Sequence, residues 1–138
     1  MVKSLRTLLK LAKRDLDALR RALAAELARE ADCIERMRGH EQTIVSEQQL
    51  AQRDYESARA YGGYAVAALA IRRALSAEHA LIGQEIERLR ALIAEAHAEA
   101  RKFERLIELD EARENAKRAK RESAELDEFA TMRAGRRE

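Results

Sequence analysis

The sequence predicts an all-α protein: a long antiparallel two-helix coiled-coil hairpin with a C-terminal single-helix overhang. Three observations predict it. There is no proline in 138 residues. Ala, Leu, Glu, Arg and Lys supply 91 of them, well above the roughly 50% that marks coiled coils and long helices. Apolar side chains recur at steps of three and four through two long stretches, the spacing of a helical seam. Only five residues are aromatic, Trp is absent, and alanine dominates the apolar fraction. The chain therefore lacks the bulky side chains that fill an enclosed core, and reads as one elongated coiled-coil domain over 1–138 rather than a pocketed enzyme.

Helix one is expected over about 3–49. Its seam runs Leu5, Leu9, Ala12, Leu16, Leu19, Leu23, Leu27, Ala31, Ile34, Met37, a heptad pattern with a stutter near Leu27. The pattern fades after Ile44, where Thr43, Val45 and Ser46 lower helix propensity, and a turn is expected at about 50–60 with Asp54 as a turn residue. Helix two is expected over about 61–134. Its seam runs Tyr61, Tyr64, Ala68, Ile71, Leu75, His79, Ile82, Ile86, Leu89, Ile93, Ala96, Ala100, Phe103, Ile107. In an antiparallel pair, facing residue numbers share a constant sum. A sum of 105 sets Leu5 against Ala100, Leu16 against Leu89 and Ile34 against Ile71, leaving 105–134 unpaired. In that overhang a stripe of small residues continues in shifted phase through Leu109, Ala112, Ala116, Ala119, Ser123, Leu126 and Ala130, flanked by Arg113, Lys117 and Lys120 and by Arg118 and Arg121.

Net charge is only +2, but residues 1–21 carry seven cations against two acids while 22–100 are mildly acidic. Interspersed acids make a solvated coiled-coil surface the simpler reading of the basic start, and nucleic-acid binding is not expected. The lone Cys33 excludes an internal disulfide and fits a reducing compartment. With Ile34 on the seam, Cys33 reads as a small packing thiol. No stretch approaches the roughly 20 apolar residues of a membrane span, and the start does not read as a secretory signal, so an intracellular location is expected.

Catalytic motifs are missing. There is no phosphate-cradling glycine loop and no H-E-x-x-H. His40, His79 and His97 lack the Glu three residues before them that a bundle di-iron site requires. Cys33 has no second cysteine with which to build a metal site. Close carboxylates such as Glu95 and Glu99 are ordinary solvated neighbours on one helix face. No catalytic site, metal, cofactor or small-molecule substrate is expected.

Three tracts resemble the FliJ family, whose members are flagellar type III export proteins acting as stalk of the export ATPase. The opening Lys3-Ser4-Leu5-Arg6-Thr7-Leu8, followed by Leu9, Leu11 and Lys13, is similar to the family's basic, leucine-rich start. Tyr61-Gly62-Gly63-Tyr64, leading to Ala67, Ile71 and Ala74, resembles the aromatic opening of its second helix. Glu125-Leu126-Asp127-Glu128-Phe129-Ala130 before an Arg-rich tail resembles its usual ending.

The resemblance implies a non-enzymatic coupling protein whose termini enter the hexameric export ATPase and promote its assembly and hydrolysis. The turn end would engage the cytoplasmic region of the export-gate membrane protein, and export chaperones would be further partners. Residues Lys3, Arg6, Lys10, Lys13, Arg113, Lys117, Arg121, Leu126 and Phe129 would then face the ATPase. Tyr61, Tyr64, Ala67, Ile71, Ala74 and Glu78 would face the gate. The family can carry a bulky aromatic at the position of Ala67 and a histidine near Glu78, which shifts the expected contact toward Tyr61, Tyr64 and Ile71. The implied location is cytoplasmic, peripheral to the inner face of the cell membrane at the flagellar base. Readings left open are the equivalent stalk of a virulence type III secretion system and a structural dimerising scaffold. For the separate groups, Lys3 to Lys13 could be a plain solvated face, the tyrosines could only close the hairpin, and the overhang could pair with a second copy.

Overall fold

The computed structural model describes residues 2–137, which form helix α1 (Val2–Ala51), a three-residue turn and helix α2 (Tyr55–Arg137). A chain of good helix formers without proline offers little to interrupt either helix. The turn is Gln52–Asp54, closed by Gln52 N–H donating to the Gln49 carbonyl (3.3 Å) and Arg53 N–H to that of Leu50 (3.1 Å). Asp54 caps α2: the Ser57 N–H donates to its Oδ1 at 2.7 Å. Those backbone donors hold the Asp54 carboxyl below its ordinary value, and Glu56 adds a favourable charge to the first turn. The cap explains why α2 starts at Tyr55, six residues before the expected Tyr61. Gly62 and Gly63 lie inside the helix with no glycine at positive φ, so the pair is not the boundary it resembles.

The two helices pack antiparallel against each other, the predicted hairpin. Contacts divide the chain into two units, Asp17–Ala94 and the remaining stretches up to Leu16 and from Glu95 onward.

In Asp17–Ala94, the packed face of α1 is Leu19, Leu23, Glu26, Glu30, Cys33, Met37, His40, Ile44 and Glu47. Steps of four and three alternate without interruption, so the expected stutter near Leu27 does not occur. Leu27 and Ile34, assigned to the seam by their hydrophobicity, are 39% and 46% exposed. Cys33 is instead fully buried, packed with Ile82 and Ile86 and bordered by Leu23 and Met37. Two branched side chains from α2 meet a small thiol there, a large-into-small fit. A strict heptad also keeps one face toward the partner without local unwinding.

The α2 seam lies where expected, through Tyr61, Tyr64, Ala68, Leu75, His79, Ile82, Ile86 and Leu89, except that Ile71 is half exposed. The Cys33 thiol reaches the Leu75 carbonyl at 3.7 Å and His40 Nε2 donates to the Ala68 carbonyl at 2.9 Å. Both pairs sum to 108, three above the expected register. Ion pairs edge the interface. Arg36 bridges Asp32 (3.1 Å) and Glu78 (2.7 Å), and Arg72 forms a bidentate pair with Glu41. As exposed pairs they specify register more than they add stability.

In the other unit, Val2, Leu5, Leu9, Ala12 and Leu16 of α1 line up with Ala96, Ala100, Phe103, Ile107 and Asp110 of α2 on the less exposed faces. Ala12, Leu16, Ala100 and Ile107 are buried. Lys13 pairs with Glu104 at 3.7 Å and Arg6 with Glu111 at 3.0 Å. Contact with α1 therefore extends to Glu111, beyond residue 104 where the expected pairing stopped.

Candidate partner-binding surfaces

Past Ile107 the heptad continues on the same face of α2 as Asp110, Glu114, Lys117 and Arg121. A seam that turns charged stops recruiting an apolar partner, and every residue from 111 to 136 is exposed. The small-residue stripe of Ala112, Ala116, Ala119, Ser123 and Leu126 lies roughly 100–180° around the helix from Ile107, on a different side from the packed face. Further along, Leu126, Phe129 and Met132 are exposed large apolar side chains in an otherwise charged stretch. Met132 was not singled out in the sequence, although its spacing of three from Phe129 was readable there.

Lys3, Arg6, Lys10 and Lys13 follow one another at steps of three, four and three, forming a row along one face of α1. Arg6 and Lys13 are engaged by Glu111 and Glu104, whereas among the described residues no ion pair reaches Lys3 or Lys10. In the overhang, Lys117 approaches Glu114 at 3.8 Å, and no described ion pair engages Arg113 or Arg121. With Arg6 held at Glu111, Phe129 lies about 27 Å farther along α2 at 1.5 Å per residue. Beside the basic row, the exposed Leu8 and Leu11 share a shallow groove with Ala96, Glu99 and Phe103.

Near the turn, Tyr61 and Tyr64 are half buried, their ring centroids 6.0 Å apart and tilted by 39°. Burial, with the Glu47 carboxylate nearby, raises the Tyr64 phenol above its ordinary value. Its hydroxyl has no hydrogen-bond partner. The rings thus serve the interface between the helices as much as the surface. Ala67, Ile71, Ala74 and Glu78 form a stripe at steps of four, three and four, with the first three exposed. Glu78 is held by Arg36, and that bond keeps its carboxyl below the usual range. More apolar surface lies close by in sequence, at Val45, Leu50, Val66 and Leu69. For Val66 and Leu69 the signal was the run Ala60–Ile71, twelve residues without a charge. Among the described residues, no group of three or more His, Cys, Asp or Glu side chains could hold a metal ion, and no helix is long and apolar enough to cross a membrane.

The family model described as "Flagellar FliJ protein" matches residues 1–138. The chain belongs to the FliJ family. Membership implies a stalk- or chaperone-like part in flagellar type III export, the reading that the basic start, the Tyr61–Tyr64 tract and the Leu126–Phe129 ending suggested. No curated protein and no solved structure matches the chain.

Proposed function

We propose that this FliJ-family protein is a non-enzymatic coupling element of flagellar export, binding and activating the hexameric export ATPase and linking it to the export gate and export chaperones. The observation that carries the reading is the exposed carboxyl part of α2. Residues 112–136 are exposed throughout, their seam face is charged, and Leu126, Phe129 and Met132 stand in water. Exposed apolar side chains gathered on such a helix mark an interaction surface. Lys3, Lys10, Arg113, Lys117 and Arg121 add the positive charge with which an acidic ring opening would be met. Arg6 and Lys13 hold the amino end against α2, so their part is to present that surface as well as to contact the ring. At the turn end, Ala67, Ile71 and Ala74 form the contact stripe for the gate, and Tyr61 and Tyr64 support it from the helix interface.

The experiment is the hydrolysis rate of the same organism's flagellar export ATPase, measured with and without the protein alongside ring assembly. A higher rate together with more hexamer is the expected result, and truncation of residues 112–138 removes both. No effect on either quantity from the folded full chain overturns the reading. A doubled chain mass in solution would then favour the dimerising scaffold.

A further inference from the structure

One exposed row on α1 is apolar for reasons the hairpin does not supply. Ala24, Leu27, Ala31 and Ile34 follow at steps of three, four and three. Each stands one residue after a member of the packed face, so the row lies about 100° around α1 from the seam. All four are exposed, Leu27 at 39% and Ile34 at 46%. A second face with coiled-coil spacing has no use in a two-helix rod, and it marks a contact with another molecule.

What fits the row is a second copy of itself. In an antiparallel pair of identical helices, facing residue numbers again share a constant sum. A sum of 58 sets Ala24 against Ile34 of the second copy and Leu27 against its Ala31, and two-fold symmetry repeats both pairs. Every layer then joins one large side chain to one small. The row beside it agrees: Ala28 meets its own copy near the axis, and Arg21 stands beside Glu35 of the second copy. At either end Asp17 and Arg20 gather with Arg38 and Glu41 of the second copy, two acids with two cations. No ion pair among the described residues engages Arg21. Glu35 is held only by Arg38 of its own helix at 2.6 Å, an exposed pair that exchanges partners at little cost.

On this side α2 leaves room. Arg36 and Glu78, each one residue before a packed position, bind each other at 2.7 Å and mark one edge of the hairpin. Residues one after the packed positions share the other edge. On α2 these are Ser76, Ala80 and Gly83, all short, and a Cβ at Gly83 would meet nothing within 4 Å. A second hairpin approaching along the α1 row therefore meets no bulky side chain from this part of α2.

We propose that Ala24, Leu27, Ala31 and Ile34 form the seam of an antiparallel homodimer, two hairpins joined side by side through α1 about a two-fold axis near residue 29. Such a contact uses the same patch on both copies and closes on itself, so it stops at two chains. Charge fixes its direction, because a parallel pair would set Arg21 beside Arg21 and Glu35 beside Glu35. The stretch Asp17–Glu41 holds none of the residues assigned above to the ATPase or the gate. Failure of the dimer therefore leaves that reading intact, and the converse holds.

Sedimentation equilibrium of the full chain over a concentration series should show a reversible balance of one-chain and two-chain masses. A one-chain mass throughout overturns the proposal. Arg21→Glu and Glu35→Arg should each weaken the dimer about tenfold at unchanged helicity, and combining them should restore it. A dimer indifferent to these exchanges joins elsewhere, which overturns the proposal equally. In a Cys33→Ala background, Ala28→Cys should give a two-chain disulfide under mild oxidation, whereas Ala22→Cys, on the far side of α1, should not. Equal crosslinking at the two positions refutes the two-fold seam.

Discussion

Replacing Ile82 with alanine tests the seam at its best-packed point, with the adjoining Leu81 as internal control. Ile82 is 3% exposed and touches Cys33 and Ile86, whereas Leu81 is 67% exposed. Ile82→Ala removes three carbons from a buried site, about 2.4 kcal/mol at roughly 0.8 kcal/mol each. Two helices collapse into a gap more readily than a globular core, so the added cavity cost is small and about 2–3 kcal/mol is expected, the low end for such truncations. The same three carbons at Leu81 are largely in water and alanine is the better helix former, leaving a change within about 0.5 kcal/mol. Urea unfolding followed by circular dichroism at 222 nm reads both. At an m-value of about 2 kcal/mol/M, Ile82→Ala lowers the midpoint by about 1 M and Leu81→Ala scarcely moves it. Equal losses, or a larger loss at Leu81, would refute the assignment of the packed face.

Leu75→Cys should form an intrachain disulfide with the native Cys33, visible as a faster monomer band on a non-reducing gel. Crosslinks only between chains would contradict the hairpin register. Bonds from Arg36 and Arg72 hold the Glu78 and Glu41 carboxyls below their ordinary values, so their contribution is present above the unfolded-state value and lost as pH falls through the lower folded one. Glu41→Gln/Glu78→Gln should flatten the loss of thermal stability below about pH 4.3, an effect that shrinks in high salt; an unchanged pH profile counts against those pairs. Asp54→Ala should lower the unfolding midpoint while Asp54→Asn retains most of it, because both Asp and Asn accept the Ser57 N–H. Leu126→Ala/Phe129→Ala should reduce stimulation of the export ATPase by tenfold or more at unchanged helicity and unfolding midpoint. Full stimulation by that variant would move the contact elsewhere.

How much of this was legible in the sequence differs between the two helices. On α2 the apolar residues and the heptad coincide, so all but Ile71 of its seam was readable. On α1 they diverge between Leu23 and Met37. Hydropathy selects Leu27 and Ile34, while regular spacing selects Glu26, Glu30 and Cys33, and spacing governs the packed arrangement. The start of α2 was obscured in a similar way. Two adjacent glycines resemble a boundary, but Asp54 and Ser57 make a hydrogen-bonded cap six residues earlier. Of the candidate surfaces, the Lys3–Lys13 row and the apolar ending at Leu126 and Phe129 were visible as spacing. The engagement of Arg6 and Lys13 by α2, the inward placement of the tyrosine rings and the capture of Glu78 by Arg36 were not. Each depends on which residues of the other helix lie opposite, and register was the quantity the sequence left three residues uncertain.

The pairing of Arg6 with Glu111 spans 105 positions in the chain, and this has a consequence during synthesis. The turn can close as soon as Asp54 and the first turns of α2 have left the ribosome, and pairing then spreads outward from it. The Leu5, Leu9 and Leu16 face is made first and must be matched last. At roughly 5–20 residues per second, it waits about 5–20 s for its partner strand, longer than any other part of the interface. Charges beside an unmatched apolar segment oppose its association, and Lys3, Arg6, Lys10 and Lys13 stand among those leucines while they wait.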